Sequence, residues 1–379
     1  MLELPPLSLY IHVPWCVRKC PYCDFNSHEA GGAIPETNYV QALCEDFTQD
    51  LPLIQDRQIH SVFIGGGTPS LFGAGAYQKL FQYLRQHADF ATDCEITLEA
   101  NPGTAEAEKF AAYREAGINR LSLGIQSFDD AQLKTLGRIH DATEARSAVA
   151  MAIAAGFDNF NLDLMHALPG QSPEQAVEDL AQALAFKPTH LSWYQLTIEP
   201  NTVFYRNPPV TPPEDHVIAM QEMGRALLQQ NGLLRYEVSA YARTNQYSRH
   251  NLNYWQFGDY LGIGAGAHGK ITQPTTGSIF RMRKHKQPNH YLANQVSRVA
   301  EQSLLEAADL PIEFLLNALR LREGFEPQLF ESRTGIPFST IGKRVDYLIS
   351  QDLLVMDGQH IRPTDRGYEL LNSLLEEFV

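Results

Sequence analysis

Three cysteines lie close together near the beginning of the sequence, in the stretch LSLYIHVPWCVRKCPYCDF. Cys16, Cys20 and Cys23 follow the pattern C-x3-C-x2-C directly after an apolar run. Five cysteines in a chain of this length do not suggest a disulfide framework, which normally shows an even number in a short secreted protein. In a reducing compartment, clustered thiols hold a metal or carry out chemistry. The spacing therefore predicts a metal centre on a loop after the first strand.

Three thiolates alone do not complete the coordination shell of such a metal centre. A structural zinc site needs four ligands, and His12 and His28 are the nearby candidates for the fourth. An iron–sulfur cluster normally takes four cysteines as well. With only three, one iron keeps an open coordination position, which is where a metal centre does chemistry. Phe25 stands where a further sulfur would complete the set.

The composition limits the function classes. With 379 residues, of which 44% are hydrophobic, the chain has room for one large soluble domain with an appendage, or for two domains. It contains no apolar stretch of the ~18 residues that a membrane span needs. The start MLELPPL does not resemble a signal peptide, so a cytoplasmic location is expected. Acidic residues outnumber basic ones by 44 to 30, which argues against a nucleic-acid partner.

Alternating strand-like and helix-like segments must position the cysteine loop. Six apolar runs are typical of parallel strands, namely LSLYIHV, SVFIGG, EITLEAN, RLSLGIQS, FNLDLMHAL and HLSWYQLTI. Amphipathic segments with helical periodicity separate them. The pattern predicts an α/β fold with a partial (β/α)6 barrel, whose ligands bind at the C-terminal ends of the strands.

The remainder of the chain is predicted to form smaller units. We expect the barrel core over 1–235, a connecting segment over 236–286 and a mainly helical C-terminal domain over 287–379. The last segment reads as a helix, a hairpin with a turn at DG and a final helix, so its end is winged-helix-like. Its acidic composition favours a structural or partner-docking role over DNA binding.

The cysteine pattern, with Tyr22 before its last member, resembles the signature of the radical S-adenosylmethionine (SAM) superfamily. In that superfamily the open position of a [4Fe-4S] cluster is filled by the amino and carboxylate groups of SAM. One electron from the cluster then cleaves SAM to a 5′-deoxyadenosyl radical. The resemblance implies that Cys16, Cys20 and Cys23 hold the cluster.

Further motifs follow in the order that the superfamily shows. GGGTPS comes after the second predicted strand, where glycines let the backbone approach a ligand closely. Glu99, Gln126 and Asp163 fall at or just beyond the ends of the third, fourth and fifth strands. Taken alone, each of these residues could simply satisfy backbone groups at a strand end. The resemblance implies that SAM contacts Tyr10, Tyr22, Gly66, Gly67, Thr68, Glu99, Gln126, Arg138 and Asp163.

The motifs YIHVPWC, LEANPG, GRIH and NLDLMHALPGQ resemble the oxygen-independent coproporphyrinogen III oxidase group within this superfamily. Those oxidases carry a fourth cysteine at the position of Phe25. In addition, the element H-N-x-x-Y-W in RHNLNYWQFG resembles the signature of the related HemW-type heme chaperones. This resemblance implies a protein that binds heme, a [4Fe-4S] cluster and SAM, and that transfers heme to acceptor proteins.

The same element supplies a candidate heme contact. Imidazole is a common axial ligand of heme iron, so His250 is the first candidate, and Tyr254 and Trp255 are suited to pack on a flat macrocycle. A buried histidine that bonds to its neighbours is the competing interpretation. His268 is a second candidate, whereas His12 and His166 are weaker.

Three functions compete. The first is a heme chaperone, whose partners are heme, heme-accepting proteins such as membrane-associated respiratory proteins, and an electron donor for the cluster. The second is an enzyme, a coproporphyrinogen III oxidase that decarboxylates propionate side chains through a radical. The third is a radical enzyme acting on tRNA, which the net charge of −14 disfavours. A homodimer is compatible with the sequence. We favour the chaperone without oxidase activity.

Overall fold

The first half of the chain alternates strands and helices, as its sequence pattern predicts. The structure is a computed structural model that describes residues 1–104 and 107–378. The elements of this half are β1 Leu7–Val13, β2 Trp15–Cys16, β3 His28–Glu29, α1 Glu36–Asp50, β4 Ile59–Gly66, α2 Ala74–His87, β5 Phe90–Ala100, α3 Ala107–Glu115, β6 Arg120–Gln126, α4 Asp130–Thr135, α5 Ala142–Ala154, β7 Phe160–His166, α6 Pro173–Ala185 and β8 His190–Gln195.

The middle of the chain returns to the same sheet. Its elements are α7 Val203–Arg206, α8 Glu214–Gln230, β9 Leu234–Arg235, β10 Ala240–Ala242, α9 Arg249–Trp255, β11 Asp259–Ile263, β12 His268–Gln273, β13 Ser278–Lys284, α10 Pro288–Ala293 and β14 Val299–Leu304.

The C-terminal part is mainly helical. It consists of α11 Leu310–Ala318, α12 Pro327–Thr334, α13 Ser339–Ser350, β15 Leu354–Asp357, β16 His360–Pro363, α14 Asp365–Glu369 and α15 Leu371–Glu376. β15 and β16 pair as an antiparallel hairpin whose turn contains Gly358 at φ 62°. The predicted helix, hairpin and helix are therefore confirmed.

The six predicted strands form the parallel centre of one sheet, in the order β1-β4-β5-β6-β7-β8. Their side chains are buried along most of their length, because helices cover the outer face and the opposite face lines the barrel interior. Local sequence fixes the covering helices. For example, the Ser172 hydroxyl caps α6 by accepting from the backbone N–H of Gln175. In turn, the side-chain oxygen of Gln175 accepts from the backbone N–H of Ser172. The partial (β/α)6 barrel is confirmed.

The middle segment contributes more to the sheet than its irregular pattern suggested. β11 pairs in parallel with β1, so that Leu7 lies opposite Asp259 and Ile11 opposite Ile263. β12, β13 and β14 continue outward from β11 as antiparallel strands. On the other side, β10 and β9 extend the sheet antiparallel to β8. The sheet therefore has twelve strands.

A second hydrophobic core lies under the C-terminal helices. It is centred on Phe314, whose ring meets the rings of Phe325 and Phe330 edge to face at 5.0 and 5.3 Å. Phe257, which follows α9, packs against Phe314 and joins this core to the sheet. The division of the chain at residues 235 and 286 stays a prediction. No helix within residues 1–104 and 107–378 combines the length and the apolar character needed to cross a membrane.

Candidate functional site

The cysteine loop begins directly after β1 and is closed by a short pair of strands. β2 and β3 pair in parallel, with Trp15 opposite His28 and Cys16 opposite Glu29. Within the loop, the N–H of Cys23 donates to the carbonyl of Cys20 at 3.1 Å, which forms a tight turn. Burial raises the pKa of the Cys16 and Cys23 thiols. Bound iron would offset that effect, because a coordinating thiol loses its proton to the metal.

The glycine-rich loop after β4 docks onto the cysteine segment through its backbone. The N–H groups of Gly67 and Thr68 donate to the carbonyls of Val13 and Trp15, each at 2.7 Å. Gly66 has a φ of 112°, and a Cβ there would lie 2.4 Å from the ring of His12. A Cβ at Gly67 would lie 2.5 Å from the carbonyl oxygen of Trp15. Glycine is therefore required at both positions by close backbone approach.

A cavity of about 330 Å³ opens between these loops and the ends of the parallel strands. All three cysteines line it, together with every predicted SAM contact except Tyr10. The members of that set are Cys16, Cys20, Cys23, Tyr22, Gly66, Gly67, Thr68, Glu99, Gln126, Arg138 and Asp163. The structure thus brings together residues that are spread over 148 positions of sequence, from Cys16 to Asp163.

Glu99 and Asp163 place two carboxyl groups on the wall of this cavity. Burial, together with the neighbouring Asp163, raises the pKa of Glu99 to about 8. Burial also raises the pKa of Asp163, although Asn161 and Ser122 donate to its carboxylate at 2.7 and 3.0 Å. A cation between the two groups would favour the ionised form of both.

Arg138 connects the cavity wall to the cysteine loop. Its Nη1 donates to the sulfur of Cys20 at 3.6 Å, and its Nη2 donates to the carbonyl of Gly124 at 2.7 Å and to Asn101. Its Nε is buried without a hydrogen-bond partner among residues 1–104 and 107–378. A buried donor of this kind marks a place where a bound group is expected.

Backbone strain is concentrated at the ends of the barrel strands. Gln126, the last residue of β6, has a φ of 71°, and Ala167, just after β7, has a φ of 57°. Left-handed backbone at residues other than glycine costs on the order of 1 kcal/mol or more and clusters at ligand sites. At Gln126 the strain holds the amide oxygen 2.7 Å from the hydroxyl of Tyr194.

Sequence reasoning missed several polar residues of this cavity, among them Asn101, Ser122 and Tyr194. Asn101 follows Glu99 by two positions in LEAN, at the end of β5, so its place at a strand end was a usable signal. Ser122 and Tyr194 lie within strands, where alternation alone does not tell which face carries a ligand.

A larger cavity of about 700 Å³ adjoins the first and shares Phe25, Gly66 and Glu99 with it. Phe25 is 61% exposed and stands between the two. The wall of the larger cavity is aromatic and is formed by Tyr10, Tyr254, Trp255, Phe257 and Tyr260. Its charged lining is mostly basic, with Lys19, Lys270, Arg281 and Lys286 against Asp24 and Glu99.

The predicted histidines and Tyr10 take different positions around this larger cavity. His268 is exposed and lines it, and His12 lines it while bonding to Tyr10 and to the carbonyl of Asn26. His250 is 1% exposed, beneath the wall, with its ring 6.4 Å from that of Tyr10. His166 lies elsewhere, with its ring 4.4 Å from that of Trp193.

The three thiols are not arranged around one point. Within residues 1–104 and 107–378, no group of three or more histidine, cysteine, aspartate or glutamate side chains is placed to hold a single metal ion. A cluster of several irons has a different requirement, because each thiolate ligates its own iron.

Two families match parts of the chain. The Radical SAM superfamily matches residues 10–183, and the HemN C-terminal domain matches residues 305–370. Among solved structures, the coproporphyrinogen III oxidase HemN from Escherichia coli, a radical SAM enzyme, superimposes with a TM-score of 0.83 at 22% identity. The match covers 99% of this chain and 90% of that one, and it shows a shared fold.

Curated relatives match over the whole chain. The heme chaperone HemW of Haemophilus influenzae is 50% identical over 100% of this chain and 99% of its own length. HemW of Escherichia coli K12 is 48% identical over 100% of both chains. A mouse protein named radical S-adenosyl methionine domain-containing protein 1, mitochondrial, is 35% identical over 97% of this chain and 86% of its own. These relatives do not favour the oxidase alternative, and with identities this high over its full length the chain belongs to the HemW heme chaperone family of radical SAM proteins.

Proposed function

We propose that this protein is a heme chaperone that binds heme in the larger cavity and passes it to acceptor proteins. The smaller cavity would hold a [4Fe-4S] cluster and SAM. Full-length relatives named heme chaperone HemW support this function for the chain as a whole. The contacts of the larger cavity support heme as its ligand.

The observation that carries the proposal is that the lining of the larger cavity is mostly basic, whereas the protein as a whole is acidic. The chain has a net charge of −14, yet the lining of this cavity carries four lysine or arginine side chains and two acidic ones. Lys270 and Arg281 are paired with Asp259 and Glu313, whereas Lys286 is exposed at the rim. Heme combines a flat apolar macrocycle with two anionic propionates, so an aromatic wall with a basic rim suits it. The volume of about 700 Å³ lies within the range of about 300–1,000 Å³ typical of ligand cavities.

The smaller cavity fits the two cofactors that the superfamily implies. Cys16, Cys20 and Cys23 would hold three irons of the cluster, and the remaining iron would stay open to SAM. SAM carries a sulfonium and an ammonium group, which match the buried carboxyls of Glu99 and Asp163. When bound, the cluster supplies one-electron reduction at the open position. The orphaned Nε of Arg138 and its contact with Cys20 support a position of this side chain beside the cluster.

The wider context of the function is proposed on the same basis. The acceptors would be heme proteins, including membrane-associated respiratory proteins, and an electron donor would serve the cluster. We propose a cytoplasmic location, and a homodimer is compatible with the sequence. The barrel core at 1–235 would carry the cluster and SAM, the segment at 236–286 the heme motif, and the domain at 287–379 the docking surface for partners.

A titration with hemin tests the proposal. The cluster is reconstituted under anaerobic conditions, hemin is added, and binding is followed by absorption spectroscopy. Wild type should bind hemin stoichiometrically, and Lys286→Glu should bind it about tenfold more weakly, because a propionate would then meet a negative charge. Lys343→Glu makes the same charge change on the exposed face of α13 and should bind like wild type.

The same samples separate the chaperone from an oxidase. Coproporphyrinogen III incubated with the reconstituted protein, SAM and a reductant should remain unconsumed. Consumption of coproporphyrinogen without stoichiometric hemin binding would contradict the proposal. Equal hemin affinity for wild type and both lysine variants would contradict the location of the heme.

A further inference from the structure

His250 and Tyr254 are four positions apart in α9, so both side chains lie on one face of that helix. Tyr254 Oη lies 2.8 Å from Nε2 of His250, and the two rings meet edge to face at 4.8 Å. On its other side, Nδ1 of His250 lies 3.1 Å from the hydroxyl of Ser61. Both ring nitrogens of His250 are therefore occupied by protein partners.

Only one member of this pair reaches the larger cavity in the described structure. Tyr254 lines the cavity and packs edge to face on Tyr260, at 4.6 Å. His250 lies behind Tyr254 and is 1% exposed. An iron atom in the cavity would meet the tyrosine before it could meet the imidazole.

The position of His250 is fixed by contacts that do not involve the cavity. The hydroxyl of Ser61, which bonds to His250, also forms a hydrogen bond of 2.7 Å with the hydroxyl of Ser8. These two bonds connect the imidazole to β4 and β1. The backbone N–H of His250 donates to the buried carboxylate of Glu95 at 3.3 Å. The Ser61 hydroxyl is able to donate to Nδ1 as well as to accept from it, so Nε2 of a neutral imidazole is able to donate to Tyr254 Oη as well as to accept from it.

Trp255, the next residue of the motif, differs from His250 and Tyr254 in its hydrogen bonding. Trp255 lines the cavity, and its indole Nε1 is buried with no hydrogen-bond partner in the described parts of the chain. Buried indole N–H groups are normally satisfied, so an orphan beside a cavity points to a bound ligand.

We propose that Tyr254 is the axial ligand of the heme iron and that His250 is a positioning residue behind it. The inference rests on the proposed heme-binding function and reassigns the iron ligand within that site. On binding of ferric heme, the O–H bond of Tyr254 breaks and an iron–oxygen bond forms, while the proton leaves to solvent through the cavity that Tyr254 lines. Neutral His250, with its proton on Nε2, then donates to the phenolate oxygen, and the oxidation state of the iron does not change. Tyrosine is an established axial ligand for heme in proteins.

The experiment compares two porphyrins on the full-length protein. Hemin contains ferric iron, and protoporphyrin IX has the same ring and propionates without a metal. Tyr254→Phe keeps the aromatic ring but removes the oxygen. It should weaken hemin binding at least about tenfold, and leave protoporphyrin IX affinity within about twofold of wild type. The phenolate-to-iron charge-transfer band and the tyrosinate modes in resonance Raman spectra of wild type should disappear.

Two further variants sharpen the result. Tyr347→Phe removes an exposed tyrosine hydroxyl on α13, outside the lining of this cavity, and should keep the wild-type hemin spectrum. His250→Gln retains a side chain able to bond to Tyr254; it should keep the tyrosinate modes but shift the charge-transfer band. Thermal unfolding of each variant shows whether it is folded.

Each outcome bears on a different claim. A wild-type hemin spectrum in folded Tyr254→Phe would overturn the assignment of the ligand. A histidine-ligated spectrum that survives in Tyr254→Phe and is lost in His250→Gln would overturn it in favour of His250. An unshifted band in His250→Gln would overturn the positioning role. If the wild-type protein binds neither porphyrin, the proposed heme-binding function itself is contradicted.

Discussion

Arg138 donates from Nη1 to the sulfur of Cys20 at 3.6 Å, although the two residues are 118 positions apart in sequence. This contact joins the region after α4 to the cysteine loop. The same guanidinium bonds to Gly124, next to the end of β6. A donor on a cluster sulfur stabilises the more negative, reduced form of the cluster.

The contact predicts a change in redox behaviour. Arg138→Leu removes both the donor and the positive charge, so the cluster should have a lower reduction potential, by on the order of tens of millivolts. Potentiometric titration of the reconstituted protein, followed by electron paramagnetic resonance, measures the change. Arg138→Lys keeps the charge and should lie between the variant and wild type. An unchanged potential in a folded Arg138→Leu protein with full iron content would speak against the contact.

Cluster assembly should depend on only three of the five cysteines. Cys16→Ala should abolish the cluster, because two thiolates cannot hold it in place of three. Cys44→Ala changes a half-buried thiol on α1 and should leave the iron and acid-labile sulfide at the wild-type level. Chemical analysis of both elements after anaerobic reconstitution provides the measurement. Full iron and sulfide in Cys16→Ala would refute the assignment.

The Glu99 carboxyl should make the cofactor-free protein less stable at alkaline pH. Its pKa is raised from 4.5 to about 8, so the folded state binds more protons than the unfolded state between these values. Stability contributed by protonated Glu99 is therefore present below about pH 4.5 and is lost as the pH rises through about 8. Glu99→Gln removes this loss and should be more stable than wild type at pH 9, by a few kcal/mol and at most about 5.

Thermal unfolding at pH 5 and pH 9 tests this prediction. The advantage of Glu99→Gln should be small at pH 5 and large at pH 9. Addition of SAM should stabilise wild type more than the variant, because the variant has lost a charge partner for the cationic ligand. Parallel stability profiles for the two proteins would show that Glu99 ionises normally.

A buried glycine in α8 should tolerate no larger residue. A Cβ on Gly224 would lie 2.1 Å from the ring of Trp193 and 2.9 Å from Leu180 of α6. Gly224→Ala should therefore cost about 1–3 kcal/mol of unfolding free energy. Gly342 in α13 is the matched control, since its nearest side-chain atom is 4.0 Å away and alanine there should stabilise by about 0.5–1 kcal/mol. Urea denaturation of both variants gives the comparison; equal stabilities would contradict the packing argument.

The sequence was most informative where structure is local. The run LSLYIHV corresponds to β1 at both ends. The cysteine and glycine motifs lie where parallel-strand topology predicts them, at the ends of β1 and β4.

Long-range pairing was not accessible in the same way. The contact of β11 with β1 joins positions more than 250 residues apart, and the glycine-rich sequence around β11 lacks a clear strand pattern. Likewise, only the structure shows that Tyr10 faces the larger cavity and that Tyr254 stands in front of His250. The direction of a side chain depends on neighbours that the local sequence does not contain.

The pairing of β11 with β1 also has a consequence for how the protein is made. Until residue 263 has left the ribosome, one edge of β1 has no partner, and the unpaired backbone groups of an edge strand invite association with other chains. Contacts that span so much sequence also form slowly. α9 lies immediately before β11 in the chain. The pairing of β11 with β1 therefore also brings His250 and Tyr254 into position. A chain that stops short of residue 263 would therefore be prone to aggregate and unable to take up heme.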